Sequence, residues 1–260
     1  MSAGCWVQVA AWLALAAPVW WFAGGCSPVG PPPGRADAVA PLFGRSTSTV
    51  PVAATGGGAT SAAALVRSVN LRQDLVPRGT HGRRVVRPMT PRYITIHSTQ
   101  NWSAGADAWR HSTALKNGKL RAPKVAGRNR IGYLIWHFTV DDKVAVQHLP
   151  TNEQGEHADF DGPGNRYSIG IEMCEHRGSN RQATIDRAAR LTAWLMHRHG
   201  IPLRNVVPHY HWPRRGLSQP HKNCPHFLLD NGRPGPKWRA FLRKVDTYHR
   251  QIRAAELVAR

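Results

Sequence analysis

His97, His209 and Cys224 are of the residue types that could hold a metal ion in a reactive arrangement. Imidazole nitrogen and thiolate sulfur are preferred zinc ligands, and three of them leave one position open for water, whereas four would close the site into a structural one. His209 and Cys224 belong to a stretch, HYHWPRRGLSQPHKNCPHF (209–227), that holds four histidines, one lysine and one cysteine. Residue type alone therefore does not choose among its histidines. His211 and His221 rival His209, and His221 stands three before Cys224, which is also a metal-like spacing. With 14 histidines in 260 residues, chance clustering competes with a metal site on composition alone.

Elements must bring these residues together across more than a hundred positions. RYITIHS (92–98) alternates and is β-branched, which predicts a strand ending at His97. Ser103 can cap a helix over 104–117 that stops near Gly118. YLIWHFTVDD (133–142) and KVAVQHL (143–149) predict a hairpin turning at Asp141-Asp142, and YSIGIEMCE (167–175) predicts a further strand. Apolar residues at 185, 188, 192 and 195 mark one face of a helix over 181–200, with Gly200 and Pro202 as stop signals. A basic amphipathic helix is expected over roughly 235–256. Strands and helices intermingle, so the expected class is α/β or α+β with one sheet.

Four blocks occur in order: YITIHST, WHFTVDDKVAVQHLPTNEQGEHA, NRYSIGIEMCE and KNCPHF. Together, over roughly 88–230, they resemble the zinc-dependent N-acetylmuramoyl-L-alanine amidases of type 2, the superfamily that includes phage lysozyme-type amidases and the peptidoglycan recognition proteins. The resemblance implies an α/β fold with a single central mixed β-sheet flanked by helices, Zn2+ as cofactor, and peptidoglycan or muropeptides as substrate. By position it implies His97, His209 and Cys224 as zinc ligands, Glu172 as general base, and Lys222 as the cation near the developing oxyanion. Trp136 stands where several relatives have tyrosine. With no hydroxyl to offer, it is expected to contact substrate and leaves more of the proton transfer to Glu172. His157 could line the cleft as a substrate-binding residue, while His137 and His148 are expected to be structural. Cys174 is read as a buried core thiol, and a ligand role for Cys224 argues against a Cys174–Cys224 disulfide. Relatives of the phage type hold the second and third ligands closer together. PRRGLSQ (213–219) therefore looks inserted between them, and could form a basic flap over the cleft.

Residues 1–34 carry no charged side chain, and Trp6–Phe22 is strongly apolar. The small residues AGG before Cys26 resemble a lipoprotein signal, so 1–26 is expected to be a signal peptide with Cys26 as the lipidation site. The chain is accordingly expected to be exported to the cell envelope and membrane-anchored at its N-terminus, on the outer-membrane or periplasmic side. Residues 27–86, rich in Pro, Gly, Ala, Ser and Thr, are read as a flexible linker. A short helix over 64–76 is the one element expected there. The catalytic domain is placed at 87–232 and the basic helix at 233–260.

Net charge is +20, with nine basic against two acidic residues before Tyr93 and 26 against 13 after it. The excess is spread along the chain and suits an anionic partner such as cell-wall polymer. Nucleic acid is not expected as a partner, because no zinc-finger spacing, helix-turn-helix or RNA-binding aromatic motif accompanies the charge. A monomer is expected. The competing function is a non-catalytic peptidoglycan-binding module on the same fold.

Overall fold

The computed structural model describes residues 58–122 and 131–259. Six strands form one sheet in the order β1-β4-β3-β5-β2-β6. They are β1 (Leu71–Gln73), β2 (Tyr93–Ser98), β3 (Phe138–Val140), β4 (Ala145–Gln147), β5 (Ser168–Met173) and β6 (Val206–Pro208). β3 and β4 pair antiparallel as the expected hairpin, and every other pair is parallel. Five helices complete the fold: α1 (Ala62–Val69), α2 (Ala108–Lys116), α3 (Pro163–Tyr167), α4 (Arg181–His199) and α5 (Pro236–Val258). The class is the expected mixed sheet flanked by helices.

Alternation along the strands separates a core face from a site face. Ile94 and Ile96 of β2, Phe138 and Val140 of β3, and Ile169, Ile171 and Met173 of β5 enter the main core. There they meet Leu191 and Leu195 of α4, and Phe241 and Val245 of α5. The intervening residues, Thr95 and His97 on β2, Thr139 on β3, and Ser168, Gly170 and Glu172 on β5, are carried on the opposite face. Parallel register sets His97 beside Glu172 across β2 and β5.

Two boundaries differ from expectation. The helix after β2 starts at Ala108, because Asp107 supplies the cap by accepting the Arg110 N–H at 2.8 Å. Gly105, at φ +72°, turns the chain before it, so Ser103 caps nothing. The linker expected over 27–86 also runs too far. α1 packs Leu65 and Val69 into the main core, and β1 extends the sheet by pairing with β4. The Pro/Gly/Ala/Ser bias averaged over the segment hides these few apolar residues. Residues 1–57, including the expected signal, Cys26 and most of the linker, lie outside the described residues. The catalytic domain thus takes in chain on both sides of 87–232, since α5 buries Trp238, Phe241, Val245 and Ile252. No helix among the described residues is long and apolar enough to cross a membrane.

Residues 74–86 are fastened by charge. Arg83, buried, donates to both carboxylate oxygens of buried Glu153 at 2.8 and 2.7 Å, and to the Val76 carbonyl at 2.7 Å. The Arg83 hydrogen bonds hold the Glu153 carboxyl below the usual glutamate range, against the opposing effect of burial. A depressed carboxylate contributes stability that is present above its unfolded-state pKa and lost as pH falls through the folded-state one. Arg83→Met leaves buried Glu153 with only the exposed Arg78, 3.6 Å away, as a charge partner, so it is expected to destabilise the fold by about 3 kcal/mol at pH 7. The difference from the parent chain should narrow below about pH 4, as the stranded carboxylate protonates. Urea denaturation of both chains at the two pH values checks this; a gap independent of pH would contradict it.

Candidate metal centre and catalytic cleft

His97 is the penultimate residue of β2, on the site face. β6 delivers His209 at the start of a single 3-10 turn, His209–His211, and Cys224 follows after residues 213–219. All three are buried, and their ligand atoms lie within 4.8 Å of one another. His211 and His221 are exposed and elsewhere engaged. His211 packs edge-on against Trp212, while His221 stacks on Tyr210 and bonds its carbonyl through Nδ1 at 2.8 Å. Neither joins the cluster.

Hydrogen bonds assign the imidazole protons. The Ser168 carbonyl lies 3.3 Å from His157 Nε2 and can only accept, so that nitrogen carries the proton. His157 Nδ1 is then an acceptor and takes the His97 Nε2–H at 3.0 Å. His209 Nε2–H donates to the Ala158 carbonyl at 2.8 Å. Both Nδ1 atoms therefore keep bare lone pairs, and they face each other at 2.9 Å. Two acceptors at that separation repel unless a cation lies against both. Burial, reinforced by the neighbouring histidines and Lys222, pushes the His97 imidazole well below its ordinary pKa, and burial with Lys222 does the same to His209. Protonation is thus a poor remedy, and a metal cation is the group that the donor set fits.

Cys224 completes the set from the other side. Its sulfur accepts the Ser98 N–H at 3.3 Å. Burial pushes the thiol up to about 12, against the pull of Lys222, so a bound cation is needed to hold it as thiolate. Two imidazoles and one thiolate form a three-ligand set of the kind found at catalytic zinc.

Glu172 stands beside this cluster with Oε1 3.8 Å from His97 Nδ1. Its Oε2 is buried and has no hydrogen-bond partner. Burial raises the carboxyl to about 7, with Lys222 opposing and Glu175 adding to the rise. Lys222 is half-buried, and its charge bears on His97, His209, Glu172 and Cys224 together. Its ammonium therefore belongs to the same centre.

The two residues expected to contact substrate have other tasks. Trp136 is buried against Val76, Leu115, Ile135 and Leu149, and its Nε1–H donates to Thr139 Oγ1 at 2.7 Å. It is a packing residue, because the chain at 136 has not yet entered β3 and the indole turns into the small core under α2. His157 is 8% exposed and lies behind His97, orienting that ring. A Cβ at Gly170 would stand 2.9 Å from His157 Cε1 and Nδ1, so glycine in SIGIE makes room for the ring. Sequence reasoning did not find this support, although a glycine within a strand signals a close approach. Nor did it find Asn165, whose Oδ1 accepts the His157 and Ala158 N–H groups at 2.8 Å. His137 and His148 are fully buried, and Cys174 is a buried free thiol. Residues 213–219 form a compact turn closed by Arg214 N–H to the Pro220 carbonyl at 2.9 Å. The Arg214 guanidinium bonds the Gln219 carbonyl at 3.1 Å.

Residues 87–227 match the family model described as N-acetylmuramoyl-L-alanine amidase. The chain is 44% identical over 163 residues to the N-acetylmuramoyl-L-alanine amidase XlyA of Bacillus subtilis (strain 168), a match covering 62% of this chain and 48% of the relative. It is 38% identical over 181 residues to CwlH of the same organism, covering 69% of this chain and 62% of that amidase. The chain thus spans about half the length of the first of these curated relatives and less than two thirds of the second. Among solved structures, the catalytic domain of XlyA superposes with a TM-score of 0.54 at 41% identity, covering 68% of this chain and 99% of that one. The family match takes in more than half of the sequence and every residue of the cleft, and this chain belongs to the N-acetylmuramoyl-L-alanine amidase family.

Proposed function

We propose that the chain hydrolyses the amide between N-acetylmuramic acid and L-alanine in peptidoglycan or muropeptides, with Zn2+ held by His97, His209 and Cys224. The observation that carries this reading is the pair of bare Nδ1 atoms at 2.9 Å with a buried cysteine and an unpartnered carboxylate oxygen beside them. Zinc, when bound, supplies Lewis acidity toward the amide carbonyl and lowers the pKa of water.

The chain's own residues do the rest. Glu172 Oε2 has no competing donor, so it is free to take the proton of the attacking water and return it to the leaving L-alanine nitrogen. The Lys222 ammonium faces negative charge as it develops on the acyl oxygen. His157, held by the Ser168 carbonyl and seated over Gly170, keeps the His97 Nδ1 lone pair directed at the centre. The spread-out positive charge favours approach to a carboxylate-bearing polymer.

Incubating the full chain with zinc and defined muropeptides is expected to release stem peptides with free L-alanine N-termini. Their absence from the mass spectrum defeats the reading. Glu172→Gln should keep its zinc and lower kcat by about 10²–10⁴-fold, whereas Cys224→Ser should lose zinc and activity together. His157→Phe removes the partner that orients His97 and should weaken zinc affinity about 10–100-fold, read by competition with a chelator.

We also propose that the chain acts as a monomer, exported to the cell envelope and held at a membrane by lipid on Cys26. The support is the uncharged, apolar segment leading through AGG to that cysteine. Metabolic labelling with a fatty-acid probe should mark the chain, and Cys26→Ser should abolish the label.

A further inference from the structure

A second polar chain starts at the Cys224 side of the centre and takes no part in the mechanism just described. Ser98, whose N–H reaches the Cys224 sulfur, places its Oγ 3.2 Å from His226 Nδ1. His226 Nε2 in turn lies 3.2 Å from Glu175 Oε2. Glu175, its side chain fully buried, accepts the Gln100 N–H through Oε1 at 2.7 Å. Gln100 adopts left-handed backbone at φ +49° and ties its side-chain amide to the Asn223 carbonyl at 3.3 Å.

These contacts hold one loop. The turn at Gln100 reverses the chain after β2 and stands Trp102 edge-on against His226, with ring centroids 6.0 Å apart and planes at 66°. The Trp102 carbonyl is fixed by the Arg177 N–H at 3.3 Å. Yet Trp102 is 52% exposed. Burying a carboxylate and forcing a non-glycine residue into left-handed backbone both cost stability. Here both costs serve to hold an exposed indole on the loop after β2, edge-on to His226 and with its N–H donated to Glu175. Strained backbone that persists beside a reactive site points to use.

The chemistry of this spot selects its ligand. An indole face open to solvent offers a flat apolar platform, and the polar side chains of His226 and Glu175 lie at its edge. A pyranose ring matches both parts, with C–H groups on its face and hydroxyl and acetamido groups around its edge. An extended peptide would instead need a row of free backbone donors and acceptors.

We propose that Trp102, braced by His226 and Glu175, is the seat of the muramyl sugar ring, setting the scissile amide over the metal centre. This rests on the amidase reading and deepens it. The test compares two substrates of the zinc-loaded full chain: an N-acetylmuramoyl-L-alanyl peptide, and a lactoyl-L-alanyl peptide with the same amide and no ring. Trp102→Ala should raise KM for the muramoyl substrate about tenfold, the worth of one good aromatic contact, with kcat unchanged and the lactoyl compound unaffected. Trp102→Phe should keep most of the parent KM. Equal losses on both substrates, or no loss on either, would overturn the proposal. Saturation-transfer NMR with the methyl glycoside of N-acetylmuramic acid gives a readout free of turnover. Contact with the parent chain that disappears in Trp102→Ala supports the seat, and equal contact with both overturns it. If the parent chain cleaves neither substrate, the amidase reading fails, and the NMR comparison still judges the sugar seat.

Discussion

Two imidazole nitrogens without protons face each other across 2.9 Å, and much of this fold exists to keep them so. Left alone, each ring would rotate or change tautomer to escape the repulsion. The Ala158 carbonyl prevents this for His209, and His157 prevents it for His97. His157 is itself held by the Ser168 carbonyl and by the absence of a side chain at Gly170. Asn165 pins the backbone at 157 and 158 from behind, so one side chain steadies both arms of the pair. The demand for a cation is therefore built by neutral hydrogen bonds several residues removed from the ligands.

The sheet supplies the rigidity that such a demand requires. β2 and β5 are neighbouring interior strands that carry core residues on one face and chemistry on the other. A slip of one residue in either strand would exchange the two sets, placing His97 or Glu172 in the apolar core. Burial of Ile94, Ile96, Ile169 and Ile171 thus fixes the register that sets His97 beside Glu172. Stability and reactivity share the same strands but never the same side chains.

Much of this was legible in the sequence, for reasons particular to each element. Alternation in YITIHS and the pattern of YSIGIEMCE revealed two strands, but not that they pair and set His97 beside Glu172 on one face. The choice of His209 over His211 and His221 was not settled by residue type, because it depends on where β6 ends and how the 3-10 turn aims each ring. Trp136 is buried in the small core, and because it sits just before β3, alternation did not say which way its side chain would point. His157 was placed at the cleft, but its work behind His97 is visible only once Gly170 is seen beneath its ring. A short helix was expected over 64–76 and lies at Ala62–Val69, but the composition of the segment hid that its few apolar residues, Leu65 and Val69, reach the core.

That helix has a consequence for how the domain can be approached. α1 packs against α4 on the core side of the sheet, and the Thr60 N–H bonds the Gln251 carbonyl of α5. The chain therefore enters the domain at its back, while His97, Glu172 and Trp102 belong to the front. A bulky group joined at Gly58 would therefore lie beside α5, on the opposite side of the sheet from His97 and Glu172, and would leave them unobstructed.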